Sequence, residues 1–154
     1  MNLSLFSRSA LAVCALSCAL AALPLHAADS TNMKTLTPEE LLQILQTKKA
    51  PQPLLFSVGP RMLYAQAHIA GAEYIGQGST PAGLQNLRDR VAKLPKNAAI
   101  VLYCGCCPWN HCPNVNPAYD LLRGLGFTNV KVLYMQNNFG TDWVDKGYPV
   151  ARGQ

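Results

Sequence analysis

The segment 100–119, IVLYCGCCPWNHCPNVNPAY, decides how this chain is interpreted. It contains most of an apolar run, residues 98–103, which predicts a buried strand. Four cysteines follow that strand within nine residues: Cys104, Cys106, Cys107 and Cys112. Asn116 and Pro117 then predict the start of a helix, as its cap and its first helical residue. A thiol-rich loop between a buried strand and a helix predicts a site for sulfur or metal chemistry.

Strands and helices alternate on both sides of this segment. Short apolar runs predict further strands at 53–58, near 74–75 and at 130–134. Helix-start signals and apolar spacing predict helices after Thr37, over 61–66, after Thr80 and near 141–146. This alternation predicts an α/β fold with a parallel central sheet and helices on both faces. Ligands of such sheets bind beyond the carboxyl ends of the strands, which is where Cys104 is expected.

Length and charge limit the classes of function. The chain has 154 residues, 49% of them apolar, which is enough for one domain with a hydrophobic core. The net charge of +5 comes from basic residues that are scattered along the sequence and form no run. We therefore expect no nucleic-acid partner.

The first 27 residues have the features of a cleavable secretory signal. Arg8 precedes an apolar run over 10–23, and Pro24 and Ala27 follow it. We expect a periplasmic or secreted protein with a flexible start at 28–34, a single domain over 35–154, and no membrane association after cleavage. Two of the six cysteines would leave with the signal, so the mature protein would keep the four that cluster in one loop.

Residues 35–150 resemble a single-domain rhodanese-like protein of the sulfurtransferase superfamily. The stretches that carry the resemblance are LTPEELL at 36–42, AHIAGA at 67–72, IVLYC at 100–104 and LGFTNV at 125–130, with Trp143 and GYPV at 147–150. The resemblance implies that Cys104 accepts sulfane sulfur from a small donor as a persulfide and passes it to an acceptor such as a thiol. In this interpretation His68 has a structural role and stabilises a turn by hydrogen bonds. Loop amides at the helix start lower the pKa of the Cys104 thiol.

The sequence departs from the family pattern at two places. The loop 104–116 is longer than usual and contains no arginine or lysine to hold an anionic donor such as thiosulfate. The segment 57–60, SVGP, stands where an aspartate and an arginine commonly follow the first buried strand, although Arg61 could partly substitute. Ordinary thiosulfate sulfurtransferase activity and phosphatase-like activity are therefore not expected.

Sulfur transfer is expected to need no cofactor. Three other interpretations of the loop compete with it. The loop could bind Cu(I) or zinc through Cys106, Cys107 and Cys112, with His111 as an assisting residue. It could exchange thiols and disulfides through the C-x-x-C pattern that begins at Cys104. It could also be a non-catalytic interaction module whose loop is held by a disulfide bond, either Cys104–Cys107 or Cys107–Cys112. If sulfur is transferred, the other three thiols are candidate relay or resolving groups, and a periplasmic partner protein is a candidate acceptor.

Overall fold

The computed structural model describes residues 33–47 and 51–153. The predicted signal sequence at 1–27, and residues 28–32 of the expected flexible start, lie outside these ranges. In the described part of the chain, no helix combines the length and hydropathy that crossing a bilayer requires.

A parallel sheet of five strands forms the centre of the molecule, in the order β1-β6-β5-β2-β4. The seven strands of the described chain are β1 Thr35–Leu36, β2 Leu54–Ser57, β3 His68–Ile69, β4 Glu73–Tyr74, β5 Ile100–Tyr103, β6 Val130–Leu133 and β7 Val150–Ala151. The two strands outside the central sheet, β3 and β7, pair antiparallel with each other. The predicted α/β class with a parallel sheet is therefore confirmed, and β5 lies in its middle, between β2 and β6.

Four α-helices and two shorter helical turns accompany the sheet. The helices are α1 Pro38–Gln46, α2 Arg61–Gln66, α3 Pro81–Val91 and α4 Val115–Gly124, with a 3₁₀ turn at Trp109–His111 and a π-helical turn at Gly140–Val144. The predicted start of α1 is confirmed, because Thr37 and Glu40 form a reciprocal capping box. Thr80 caps α3 by accepting a hydrogen bond from the Gly83 amide.

Two hydrophobic clusters divide the core, as expected for a sheet covered on both faces. One cluster includes Leu102, Leu122 of α4 and Leu87 of α3. The other includes Val101 and Leu41 of α1. Side chains alternate between the two faces along β5, and Cys104 belongs to the same cluster as Leu102. Cys104 therefore lies on the side of the sheet that α3 and α4 cover.

The predicted start of the helix after the cysteines is wrong by two residues. The helix α4 begins at Val115 with Asn114 as its cap, so Asn116 is an exposed helical residue and Pro117 is the third residue of the helix. Proline is tolerated there because the first amides of a helix have no intrahelical acceptor. The Asn114 side chain bonds to Ser79 and Cys104, and these contacts fix the helix start at this residue.

The other differences concern short elements. The strands β1, β3 and β7 were not predicted, because two residues are too few to show a period. The last helix was predicted near 141–146 and is a five-residue π-helical turn, Gly140–Val144. None of these differences changes the order of the larger elements.

Replacing Leu102 by alanine tests the assignment of β5 to the centre of the core. Leu102 is completely buried, so Leu102→Ala should lower the free energy of unfolding by about 2–5 kcal/mol in chemical denaturation. Met62 of α2 is 72% exposed, so Met62→Ala should change it by less than about 0.5 kcal/mol. Equal effects of the two substitutions would contradict the assignment.

Candidate functional site

Cys104 lies directly beyond the carboxyl end of β5, and its side chain is 7% exposed. The next residue, Gly105, has a φ of 78°, and a Cβ there would lie 2.7 Å from the Cβ of Phe139. A second close approach is made by Gly59, where a Cβ would lie 2.4 Å from the Cys104 carbonyl oxygen. Gly105 therefore lets the chain turn sharply after β5 against Phe139, and Gly59 lets the segment after β2 pack directly on the Cys104 backbone.

Three of the four loop sulfur atoms gather at this point. The Sγ atoms of Cys104, Cys106 and Cys112 all lie within 4.8 Å of one another, and we call these residues the three-thiol cluster. The Sγ atoms of Cys104 and Cys106 are 3.1 Å apart, and all four loop cysteines are free thiols. Cys107 lies beside the cluster, with its Sγ 2.9 Å from that of Cys106. The sequence predicted Cys106, Cys107 and Cys112 as a ligand set, whereas the structure brings Cys104 into the group instead of Cys107.

Asn114 connects the cluster to the rest of the domain. Its Nδ2 donates to Cys104 Sγ at 3.3 Å, and its Oδ1 accepts from the amide and the hydroxyl of Ser79 at 3.1 and 2.8 Å. Asn114 is 3% exposed and its bond to Cys104 is buried, whereas its two bonds to the exposed Ser79 are partly buried. A Cβ at Gly78 would lie only 2.1 Å from the Asn114 carbonyl oxygen, which shows how closely the two loops approach.

The sequence analysis did not single out Asn114, because it assigned the cap to Asn116. The side chain of Asn114 makes no capping hydrogen bond to α4 and bonds to Ser79 and Cys104 instead, so the local preference of asparagine for helix starts does not explain its position. Its contact with Ser79 joins residues 35 positions apart and could not be read from local sequence.

The thiols at the two ends of the loop have opposite pKa shifts. A hydrogen bond with Cys104 and the backbone amides of Asn114 and Val115 lower the pKa of Cys112 to about 6. The hydrogen bond with Cys112 and burial raise the pKa of Cys104 well above its usual range. The two thiols share a proton, and the opposite directions of their shifts give Cys104 the higher affinity for it. The expected lowering of the Cys104 pKa by loop amides is not met, because the hydrogen bond with Cys112 and burial outweigh the contribution of the Cys106 amide.

The other loop residues have structural contacts. His111 is exposed, its Nδ1 lies 2.8 Å from Asn110 Oδ1, and its imidazole is not part of the three-thiol cluster. The backbone amide of Trp109 donates to Met135, and its half-buried ring packs at 5.3 Å from that of Tyr134. Trp109 therefore covers the loop without being one of its reactive groups.

The predicted structural role of His68 is confirmed. Its Nδ1 lies 2.8 Å from the Tyr64 carbonyl oxygen, and its buried ring stacks on the Tyr64 ring at 3.8 Å. The guanidinium of Arg61, the expected partial substitute for the absent arginine, lies over the Tyr74 ring at 5.2 Å.

The pH dependence of cysteine alkylation tests whether the pKa of the Cys112 thiol is lowered. The lowered pKa keeps Cys112 ionised above about pH 6, so its rate of reaction with iodoacetamide should rise through about pH 6 as the pH increases. Removing the main hydrogen-bond partner with Cys104→Ala should move this inflection to higher pH, and Cys107→Ser should move it by less, because Cys107 makes a smaller contribution to the lowered pKa. The rate is followed by mass spectrometry of the Cys112 peptide. An inflection at the ordinary thiol value in the native protein would contradict the assignment.

Comparison with known proteins identifies the family. The profile of the Rhodanese-like domain matches residues 37–135. The chain is similar to the solution structure of the rhodanese-like domain of the Alr3790 protein from Anabaena sp., with 23% identity, coverage of 79% of this chain and 80% of the other, and a TM-score of 0.58. It is also similar to the crystal structure of the BH2092 protein from Bacillus halodurans, with 21% identity, coverage of 77% of each chain and a TM-score of 0.59.

A third similar structure is the RPA3614 protein from Rhodopseudomonas palustris, described as a possible tyrosine phosphatase. It shares 15% identity with this chain, covers 77% of this chain and 85% of its own, and has a TM-score of 0.55. At these identities the structural likeness establishes the fold alone, and no curated protein sequence matches the chain. Together with the matching profile, the fold and the cysteine after the central strand show that this chain belongs to the rhodanese-like domain family.

Proposed function

We propose that this protein carries sulfane sulfur as a persulfide on Cys104. The observation that supports this most is the position of the Cys104 sulfur, at the carboxyl end of the central strand and in contact with the buried Asn114 amide. Parallel α/β sheets bind their ligands at this edge, and membership of the rhodanese-like family supports sulfur-transfer chemistry at the level of the superfamily.

Cys112 supplies the base that this reaction needs. Its thiolate, within 4.8 Å of the Cys104 sulfur, takes the proton from Cys104 as a donor enters the loop, and the hydrogen bonds from the Asn114 side chain and the Cys106 amide stabilise the Cys104 thiolate that forms. The Cys104 thiolate then attacks the outer sulfur of the donor, and the donor leaves with the electrons of the broken S–S bond. An acceptor thiolate later attacks the outer sulfur of the Cys104 persulfide and releases Cys104 as a thiolate. No net oxidation or reduction occurs in this cycle.

The electrostatics of the loop favour a donor of low charge. The loop 104–116 contains no lysine or arginine, so a dianion such as thiosulfate would lose its hydration without gaining an ion pair there. The described contacts to the cluster come from neutral donors, namely the Asn114 side chain and the amides at the start of α4. The substrate class we propose is therefore a small persulfide of the form R–S–S⁻, with a small thiol or a protein thiol as acceptor.

The proposed compartment follows from the N-terminal sequence. If residues 1–27 direct export, sulfur exchange takes place outside the cytoplasm, where thiols are exposed to oxidation. Three closely spaced thiols would then need a reductant to remain active, and a dithiol protein of that compartment is the class of partner that could supply it.

Intact mass spectrometry after treatment with a small persulfide of low charge, cysteine persulfide, tests the proposal. The reduced protein should gain one sulfur atom, about 32 Da, and lose it when an acceptor thiol is added. Cys104→Ser should abolish this gain. Cys107→Ser is the matched control and should retain it, because Cys107 lies outside the three-thiol cluster. An equal gain in Cys104→Ser would overturn the assignment to Cys104, and absence of any gain in the native protein would overturn sulfur carriage.

The Asn114 side chain should be needed for both the site and its stability. Asn114→Ala removes buried bonds to Cys104 and Ser79, so we expect a loss of about 1–3 kcal/mol in the free energy of unfolding and a lower yield of persulfide. Asn116→Ala is the matched control, because that side chain is exposed two residues further along. It should change stability by less than about 0.5 kcal/mol and leave the yield unchanged. Similar effects in both variants would show that Asn114 has no special role.

A further inference from the structure

We propose that the three-thiol cluster also binds one Cu(I) ion, with Cys104, Cys106 and Cys112 as ligands. Their sulfur atoms lie within 4.8 Å of one another, and they are the only such group among the His, Cys, Asp and Glu residues of the described chain. Three sulfurs around one ion at about 2.3 Å stand about 4 Å apart, which this spacing can satisfy. This proposal does not depend on sulfur carriage, although it uses two of the same thiols, Cys104 and Cys112.

The number and type of ligands select the ion. Structural zinc sites complete a tetrahedron with four protein ligands, and the cluster offers three. His111 does not supply the fourth ligand, because its exposed imidazole contacts the Asn110 side chain. Thiolates are soft ligands that suit both zinc and Cu(I). Cu(I) is satisfied by two or three of them, so the three sulfurs of the cluster complete its coordination without a fourth ligand.

The surroundings of the cluster suit a small thiolate complex. Cys106, Cys112 and Trp109 are partly buried against the apolar cluster that contains Leu102 and Leu122, so the site is shielded from water on that side. Asn114 Nδ2 lies 3.3 Å from Cys104 Sγ and 4.0 Å from Cys106 Sγ, and can donate to coordinated sulfur. Such outer hydrogen bonds orient ligands and offset the negative charge of a thiolate complex.

Copper and sulfur would exclude each other at this site. A Cys104 sulfur that coordinates Cu(I) has no free thiolate with which to attack a donor, and a persulfide on Cys104 changes the ligand atom. Copper occupancy would therefore block the proposed sulfur carriage without any change in the fold.

Competition for Cu(I) tests the site. The reduced full chain is titrated anaerobically against the chromogenic chelator bathocuproine disulfonate, with copper alone as the added metal. We expect one tightly bound Cu(I) per chain, and a loss of affinity of about tenfold or more in Cys104→Ser, Cys106→Ser and Cys112→Ser. Cys107→Ser, as the matched control, should stay within about threefold of the native affinity. Circular dichroism of each variant without metal shows whether a loss of affinity reflects a loss of folding.

The outcomes separate this inference from sulfur carriage. No Cu(I) binding, or an equal loss of affinity in all four variants while each remains folded, would overturn the copper site. The mass gain from a small persulfide is measured on the same samples, with and without one equivalent of Cu(I). Copper binding with no mass gain in the metal-free protein would support the copper site and overturn sulfur carriage. A mass gain that persists undiminished in the copper-loaded protein would overturn coordination by Cys104.

Discussion

The hydrogen bonds of Asn114 are the constraint on which the site depends. This one side chain joins the loop before α3, the cap of α4 and the cysteine that follows β5, through its bonds to Ser79 and Cys104. Since it is buried, any other position would leave polar atoms without partners. The geometry of the thiols is therefore set by a neutral amide and not by a cation of the loop, which contains no lysine or arginine.

The central sheet holds the backbone of Cys104 in a fixed position. The strand β5, which ends at Tyr103, has a strand on each side and apolar clusters on both faces, so its end is a rigid attachment point for Cys104. Hydrogen bonds between Gly105 and Phe139 and between Trp109 and Met135 attach the loop to the segment after β6. A long loop thus keeps its sulfurs together without a disulfide or an ion pair, and the thiols stay available for chemistry.

The distribution of charge distinguishes this site from one built for anions. Its negative charge is stabilised on Cys112 by backbone amides and shared with Cys104 through a hydrogen bond. These features suit the soft partners that we propose for the site, sulfane sulfur and a soft metal ion. They offer no planar guanidinium of the kind that recognises phosphate or thiosulfate within the loop 104–116. The two proposals, sulfur carriage and copper binding, therefore rest on the same group of thiols.

The sequence alone determined the order of the larger strands and helices, the parallel sheet and the place of the cysteine loop. Apolar spacing and cap residues such as Thr37 and Thr80 are local signals, and the position of Cys104 follows from the end of an apolar run. The tertiary structure alone decided that Cys104 joins Cys106 and Cys112, that Asn114 and not Asn116 caps α4, and that the lowered pKa belongs to Cys112. These features arise where loops remote in sequence meet, as Ser79 meets Asn114, and local patterns carry no information about such contacts.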